Sequence, residues 1–384
     1  NLLILGFYKY TGFFFDIIEA LFSISINYSE PALPLGISFF TFSGISYILD
    51  IYNQVNDAEN NLINFSAYLI MFPKLLQGPI TRFSQVKDDL ITRKFIPLDI
   101  MQGARRFIGG LAKKVILADS LHLATSQVFS ANYREMGAAV AWFGIIAYTL
   151  QLYLDFSGYT DMAIGVGQML GFNLPENFNF PYISRSISDF WRRWHITLGA
   201  WFRTYLFIPP EFARKKERFL RQQSNLLIVF LLTGLWHGAS WNYVIWGAYY
   251  GFILAIEASG FGKKLKKINP IIQHIYSLVL IIIGWVFFRI TDIRSWGPFL
   301  GALFGMNGWS NSVTFRSLNI LFYTPFIIPA VLFSLPLMHR LAEKAKKKGG
   351  ISLVILDVAY IALFIFTLTF IVSKGFTAFM YAEF

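Results

Sequence analysis

One histidine, His237, lies in an otherwise apolar and aromatic stretch with the sequence GLWHGASWN, at residues 234–242. Imidazole is the side chain best suited to moving protons near neutral pH. The chain has no cysteine, so thiolate nucleophiles and zinc–thiolate sites are excluded. If a hydroxyl attacks a thioester here, His237 is the candidate general base. A buried histidine that only hydrogen-bonds a neighbouring helix explains this residue equally well.

The neighbours of His237 suggest a packed, aromatic site. Small residues on either side allow close backbone approach; they are Gly234, Gly238, Ala239 and Ser240. We predict that the imidazole is surrounded by tryptophans at 236, 241 and 246. The candidate tunnel-lining residues here are Trp236, Trp241 and Asn242.

A second histidine, His195, lies in SDFWRRWHITLGAWFRTYLFIP, where tryptophans and arginines alternate. An interfacial helix explains that composition, with aromatics at headgroup level and arginines reaching towards phosphate. It does not explain His195, so a role at the mouth of a cavity stays open. Trp191, Arg193 and Arg203 are candidates for contact with substrate, and the arginines could attract phosphate groups.

Acidic residues form a third candidate cluster in YLDFSGYTDMAIG, which contains Asp155 and Asp161. Carboxylates in apolar segments usually pair or face a cavity. We favour a polar packing knot over direct catalysis, and retain Asp155 as a candidate tunnel residue. His122, His274 and His339 are predicted to be structural or solvated, Asp357 has no evident partner, and no metal site is predicted.

The composition places most of this chain in lipid. Hydrophobic residues make up 55% of the 384 residues and charged residues 14%, whereas soluble domains carry about 25% charged residues. The mean hydropathy is +0.51 over the whole chain. The composition therefore argues against a water-soluble globular protein.

Apolar stretches of about 20 residues predict membrane-spanning helices, and hence an all-α polytopic fold. The predicted spans are Leu2–Ile26, Leu33–Tyr52, Met136–Leu154, Ile271–Phe288, Ile320–Met338 and Ile351–Ser373, with Ser224–Ser259 as a hairpin of two shorter spans. Two segments look re-entrant or interfacial, Ser66–Thr81 and Ser184–Phe207. Such segments pack inside protein or line a watery cavity, so we expect a cavity within the membrane domain.

The charge pattern also fits a membrane protein. There are 33 basic and 22 acidic residues, giving a net charge of +11. The basic residues form short runs between apolar stretches, as in cytoplasmic loops, so we expect a lipid partner and no nucleic acid. We expect residues 1–384 to form one domain, and the start at Asn1 instead of Met suggests that the N-terminal part of the protein is missing.

Five strings occur in a recognisable order: PLGISFFTFSGISYILDIY, FPKLLQGPITRF, LDFSGYTDMAIG, FWRRWHITLGAWFRTYLFIP and GLWHGASWNYVIWG. Together they resemble the membrane-bound O-acyltransferase superfamily, in its branch of alginate and peptidoglycan O-acetylation proteins. The resemblance extends over essentially the whole chain. It implies a helical bundle around a tunnel, with His237 as catalytic histidine and His195 as a second, more variable one.

The resemblance further implies an acyl thioester co-substrate, most simply acetyl-CoA, with no tightly bound cofactor. It implies a multi-pass protein of the bacterial plasma membrane and an extracytoplasmic SGNH-type partner or acceptor. D-alanyl transfer, lipid acylation and a non-enzymatic transporter are the alternatives. Two departures stand out: Tyr250 replaces a histidine common in relatives, and Ile208–Phe212 reads IPPEF instead of a Pro-Leu-Gly-Gly run.

Overall fold

The structure is a computed structural model that describes residues 1–29, 31–209, 221–309, 320–375 and 379. Within these ranges the chain forms helices joined by turns and contains no strand, which confirms the predicted all-α class. Residues 210–212 of the departure at Ile208–Phe212, most of the basic run Arg214–Arg221, and residues 310–316 of the predicted outer loop Arg289–Arg316 lie outside the described residues.

The first quarter of the chain contains two longer helices followed by three short ones. They are α1 (Leu2–Phe22), α2 (Ile37–Tyr52), α3 (Leu62–Ile70), α4 (Phe72–Leu75) and α5 (Lys87–Ile91). Asn61 caps α3 by accepting a hydrogen bond from the Ile63 amide at 2.9 Å. Helix α4 and the turn after it fall within the predicted re-entrant segment Ser66–Thr81.

The centre of the molecule is built on a long helix, α8 (Ala138–Met169), of 32 residues. It packs against α6 (Pro97–Ala112), which continues through a π-helical stretch, Lys113–Ala118, into α7 (Asp119–Phe129). Glycine pairs allow the two backbones to touch: a Cβ at Gly110 would collide with the Gly158 carbonyl, and one at Gly103 with the Gly165 carbonyl.

The second half contains the two histidine motifs on separate elements. In order these elements are α9 (Ile187–Trp191), α10 (Ile196–Phe202), α11 (Arg221–His237), α12 (Trp241–Ile256) and α13 (Gly262–Leu265). The sequence predicted a single interfacial helix over residues 188–209, and the structure has two short helices there instead. The Glu257 carboxylate accepts the amides of Ile187 and Ser188, both at 2.8 Å, and so fixes the start of α9.

The remaining helices complete the bundle: α14 (Pro270–Arg289), α15 (Trp296–Leu303), α16 (Ile320–Ser334), α17 (Leu337–Lys348) and α18 (Gly350–Lys374). Asp357 on α18 does have a partner, because Arg105 Nε lies 2.6 Å from its carboxylate. The sequence could not reveal this pair, since its members are 252 residues apart.

Four helices in the described ranges are long and apolar enough to cross a membrane, which fits the predicted multi-pass protein. They are Ala138–Met169, Trp241–Leu265, Pro270–Arg289 and Gly350–Ser373. The predicted span 320–338 is bent, because the helices Phe322–Ser334 and Leu337–Lys348 meet at 58°. Helix α1 is not one of the four, and α2 has only 16 residues.

Candidate active site

His195 forms the joint between α9 and α10 in a backbone conformation rare for a residue with a side chain. Its φ and ψ are 45° and 53°, in the left-handed region. A non-glycine residue held there costs roughly 1–3 kcal/mol, and such residues cluster at functional sites. The side chain is 1% exposed, so the joint directs the imidazole into the protein interior.

Asn177 fixes the orientation and the tautomer of that imidazole. The Thr197 amide donates to Asn177 Oδ1 at 3.2 Å, and the Thr197 hydroxyl lies 2.9 Å from the same oxygen. Because a backbone amide can only donate, these contacts identify the acceptor atom of Asn177. His195 Nδ1 lies 3.1 Å from this oxygen and must therefore carry the hydrogen. Nε2 of the neutral ring is left as an acceptor.

Within the described residues, His195 Nε2 has no hydrogen-bond partner although it is buried. A buried polar atom without a partner costs about 1–3 kcal/mol. The ring also makes an edge contact with Phe156, at a centroid distance of 4.8 Å. The structure thus presents an oriented base in a largely apolar setting.

His237 is the last residue of α11 and is 4% exposed. Its ring makes edge contacts with Trp246 and Phe288, at centroid distances of 5.1 and 5.3 Å. The helix ends there because the next residues, Gly238–Ser240, turn the chain into α12. At 1.5 Å per residue, His237 lies about 25 Å along α11 from Arg221.

Trp236 connects the two histidines. Its ring centroid is 5.0 Å from that of His237 and 6.1 Å from that of His195. It stacks against Phe42 of α2 at 5.4 Å. The two histidine motifs, 42 residues apart in the sequence, therefore meet at this one indole. Trp191 adds a second link, since its ring lies 5.6 Å from that of Trp246.

Side chains from α1 satisfy the carbonyl groups at the end of α11. Lys9 Nζ donates to the Trp236 carbonyl at 2.5 Å, and the Tyr10 hydroxyl donates to the Leu235 carbonyl at 2.9 Å. The last carbonyls of a helix have no partner within it, and a cation is favourable there. Helix α1 thus holds the end of α11 that carries His237.

Glycines bring α11 and α12 into backbone contact, as the sequence predicted for Gly234. A Cβ at Gly234 would collide with the Tyr243 carbonyl, and one at Gly247 with the Phe230 carbonyl. A Cβ at Gly238 would meet the Tyr243 ring. Close approach of this kind leaves little freedom in the turn that follows His237.

Two further residues predicted near His237, Asn242 and Trp241, have different surroundings in the structure. Asn242 is fully buried; its Nδ2 lies 3.5 Å from the Phe287 carbonyl, and its Oδ1 has no partner in the described part of the chain. Trp241, in contrast, is 52% exposed and packs against Phe13 at 5.5 Å. The prediction that Trp241 surrounds His237 is wrong. It lines an outer cleft with Phe13 and Asp16 instead.

Asp155 belongs to a buried ionic knot. Its carboxylate lies 2.9 Å from Lys114 Nζ, which also binds Asp119 at 2.6 Å. Asp161 binds Lys113 at 2.7 Å and Arg106 at 2.9 Å. Burial by itself would lower the pKa of Lys113, but the Asp161 carboxylate more than offsets this and the pKa is raised. This matches the polar knot favoured from the sequence.

The arginines around His195 lie at the surface of the same region. Arg193 Nε lies 3.2 Å from Asp189, and its guanidinium also donates to the Asn179 carbonyl at 3.2 Å. Arg192 has a side chain that is 68% exposed, and Arg203 is also exposed. They are therefore placed to meet a ligand from solvent.

The remaining histidines and Tyr250 have packing contacts. His122 Nδ1 lies 3.1 Å from Gln151 Nε2, and His274 Nδ1 lies 3.0 Å from the Ser184 carbonyl. His339 contacts the Phe180 ring at 5.9 Å. Tyr250 is fully buried, with its ring 5.1 Å from that of Trp191.

Sequence reasoning missed three residues: Asn177, Lys9 and Gln77. Asn177 contacts a residue 18 positions away in the sequence, and Lys9 contacts one 227 positions away. No local sequence pattern reveals contacts over such separations. Gln77 is fully buried and both its polar atoms lack a partner among the described residues. It lies in the motif FPKLLQGPITRF, where the one indication of a functional role was a polar residue in a largely apolar stretch.

Comparison with known proteins agrees with this architecture. A family model described as the membrane-bound O-acyltransferase family matches residues 35–290. The chain is 42% identical over 317 residues to a probable alginate O-acetylase, AlgI, of Pseudomonas putida, which covers 81% of the chain and 64% of that protein. It is 34% identical over 342 residues to a peptidoglycan O-acetyltransferase of Helicobacter pylori, with 81% and 64% covered.

A more distant relative is a teichoic acid D-alanyltransferase of Bacillus subtilis, 31% identical over 259 residues, with 65% of each chain covered. The chain therefore spans less than two thirds of the length of these relatives.

Proposed function

Because this chain belongs to the membrane-bound O-acyltransferase family, we propose that it is an O-acetyltransferase of the bacterial cell envelope. It takes an acetyl group from a cytosolic thioester, most simply acetyl-CoA, and delivers it across the plasma membrane to an extracytoplasmic hydroxyl. The similarity to an alginate O-acetylase and a peptidoglycan O-acetyltransferase supports acetyl as the cargo.

The observation that carries this proposal is the pair of buried imidazoles on either side of Trp236. His195 Nε2 is held as an acceptor by Asn177 and has no partner in the described chain. We assign to His237 the removal of the proton from the attacking hydroxyl, and to His195 the second acceptor position. General-base catalysis of this kind contributes about 10²–10⁴ in rate.

The reaction route follows from the placement of polar atoms. Exposed arginines at 192 and 203 attract the phosphates of the donor, and its thioester then enters beside His195. Buried polar atoms that lack a partner among the described residues continue inwards from there, at Trp236 Nε1, Trp246 Nε1 and Asn242 Oδ1. These atoms support a polar-lined passage through an aromatic core. At its far end the acceptor is a glycan hydroxyl, or a serine on an SGNH-type partner protein.

The test uses the chain reconstituted in lipid vesicles, with labelled acetyl-CoA outside and an acceptor enclosed. Alginate oligosaccharides and muropeptides are the two acceptors to compare. We expect label on the enclosed acceptor, and about 10²-fold or greater loss with His237→Ala or His195→Ala. His122→Ala is the matched control, because His122 lies on α7 away from both motifs and should leave the rate unchanged. A fully active His237→Ala protein would refute the mechanism.

The relative that transfers D-alanine defines the competing cargo. A second vesicle assay therefore offers a D-alanyl thioester of a carrier protein with teichoic acid as acceptor. Transfer of D-alanine but not acetyl would reassign the cargo while leaving the two histidines in their roles. Solute flux without any thioester would instead indicate a transporter.

A further inference from the structure

Gln77 is a fully buried amide whose hydrogen-bonding groups are unused in the described chain. Its side chain is 0% exposed, and neither Oε1 nor Nε2 has a partner among the residues that the structure describes. Leaving such groups unsatisfied costs about 1–3 kcal/mol each, and native proteins rarely do so without a functional reason. Binding of a ligand to these groups is such a reason.

The turn that carries Gln77 is rigidly held. A Cβ at Gly78 would collide with the backbone of Pro73 and Lys74, so the chain doubles back tightly after α4. The Tyr159 hydroxyl of α8 lies against the backbone of Leu76 and Gln77. The buried position of the amide is therefore imposed by the fold, and the side chain cannot swing out to water.

The same turn is joined to both histidine motifs. The Ile80 amide donates to the Thr197 hydroxyl at 3.0 Å, and Thr197 is bonded to the Asn177 oxygen that orients His195. Ile80 also packs in one apolar cluster with Trp236, the neighbour of His237. In the described chain, buried polar atoms without a partner thus occur in this region on Gln77, Asn177, His195 and Trp236.

The chemistry of these atoms matches the two reactants. Gln77 Nε2 and Trp236 Nε1 are donors, which suit a carbonyl oxygen, whereas His195 Nε2 is an acceptor, which suits a hydroxyl. We propose that the Gln77 side-chain amide binds the carbonyl oxygen of the acyl thioester and stabilises the negative charge that develops on it. This role rests on the proposed function, and makes Gln77 a third catalytic residue of the same site.

In the step concerned, the hydroxyl oxygen of the acceptor forms a bond with the thioester carbonyl carbon. The hydroxyl proton passes to His237, and the carbonyl oxygen takes up negative charge within reach of the Gln77 N–H. The carbon–sulfur bond then breaks, the carbonyl re-forms, and the thiolate sulfur takes the proton back from the imidazolium. Because the amide binds the charge that appears only during reaction, it acts mainly on kcat.

The experiment is Gln77→Leu, which keeps the size of the side chain and removes its polar atoms. With acetyl-CoA as the donor in the vesicle assay, we expect kcat to fall by about 10²–10³. The KM for acetyl-CoA should change by less than about threefold. The melting temperature should be unchanged or higher, because an unsatisfied buried amide is replaced by an apolar group. Gln77→Met, with an unbranched stem, carries the same expectation if leucine is not accommodated.

Gln273→Leu is the matched control. Gln273 is also buried, but its Nε2 donates to the Ile268 carbonyl at 2.7 Å. Its replacement should lower the melting temperature and leave kcat unchanged. Two results would overturn the role of Gln77 and leave the proposed function standing. One is a kcat within threefold of wild type for both Gln77→Leu and Gln77→Met. The other is a loss of activity that follows a lower melting temperature. A wild-type chain that transfers no acetyl group overturns the proposed function, and this role with it.

Discussion

At the scale of single residues, the conformation of His195 is the most informative feature. The left-handed backbone at 195 is strained, and the strain is held by contacts on both sides of the residue. The Arg193 carbonyl accepts from Asn179 and the Asn177 carbonyl accepts from Ile196, each at 2.9 Å. The backbone of 177–179 thus acts as a clamp on the joint, while the Asn177 side chain sets the tautomer.

The clamp leads to a prediction for Asn177. In Asn177→Leu the Nδ1–H of His195 loses its acceptor, so the ring is free to rotate or to move its hydrogen to Nε2. We expect kcat to fall by about 10²–10⁴, the contribution typical of general acid–base catalysis, with the upper end corresponding to an imidazole held in the wrong tautomer. Asn177→Asp keeps an acceptor at the same place and should retain most of the activity. The rates of the two variants, measured in vesicles, decide the point.

Equal losses for both variants, with equal losses of melting temperature, would show instead that Asn177 only supports the loop. A normal rate for Asn177→Leu would contradict the assigned tautomer.

Contacts between neighbours in the chain are the ones that the sequence predicts most directly. Trp236 adjoins His237, and the two remain together. Trp241, four positions later, would share a helix face with His237 only if the helix continued. The chain turns at 238–240 instead, and Trp241 points into the outer cleft. Gln77 and Asn177 escaped notice because their significance depends on contacts that only the folded chain creates.

At the scale of elements, α11 and α12 form the hairpin that the sequence predicted, with its turn directly after His237. Apolar composition and the flanking basic residues were enough to indicate a reversal. They did not indicate that 184–207 divides into two short helices, because the break at His195 depends on its contacts with 177–179. Likewise, the bend between α16 and α17 depends on packing that hydropathy does not report.

Gly234 provides a test of the hairpin. Alanine normally stabilises a helix by about 1 kcal/mol relative to glycine. Gly234→Ala should do the opposite, because the added Cβ collides with the Tyr243 carbonyl and must push α12 away from α11. We expect a lower melting temperature in detergent and a loss of acetyl transfer, since His237 lies three residues further along.

The matched control is Gly6→Ala in α1, where a Cβ meets nothing within 4 Å. That variant should melt at the same or a higher temperature. If both glycine variants behave alike, the backbone contact between α11 and α12 does not hold the site.

At the scale of the whole molecule, the bundle is organised around α8. This helix has 78% of its most apolar window buried in the structure, whereas the corresponding share of the C-terminal span Gly350–Ser373 is 6%. The central helix therefore meets protein on nearly all sides, whereas most of the surface of the C-terminal one is not covered by the described protein. Hydropathy identifies both as spans but cannot tell them apart. The sequence established the class of the fold, and the folded chain was needed to show which helix lies at the centre.

Buried ion pairs connect α8 to the continuous helical segment that runs from α6 to α7. The energetics of these ion pairs give the last prediction. Lys114 and Asp155 each have side chains that are 2% exposed, 2.9 Å apart. Removing one member of a buried pair leaves an uncompensated charge and costs about 3–5 kcal/mol, whereas replacing both by apolar groups of similar size is often neutral. Lys114→Met should therefore lower the melting temperature strongly, and Lys114→Met combined with Asp155→Leu should recover part of the loss. Asp119, which also binds Lys114, limits that recovery.

The double variant also separates packing from catalysis at Asp155. If Asp155 only pairs with Lys114, the double variant should transfer acetyl groups at the wild-type rate per folded molecule, measured at a temperature well below its melting point. If Asp155 lines the passage and contacts a reactant, the rate stays low even where the protein is fully folded. We expect the first result, because Lys114, which also binds Asp119, holds the Asp155 carboxylate in a knot on the α6–α7 side of α8, whereas His195 meets α8 through the apolar ring of Phe156.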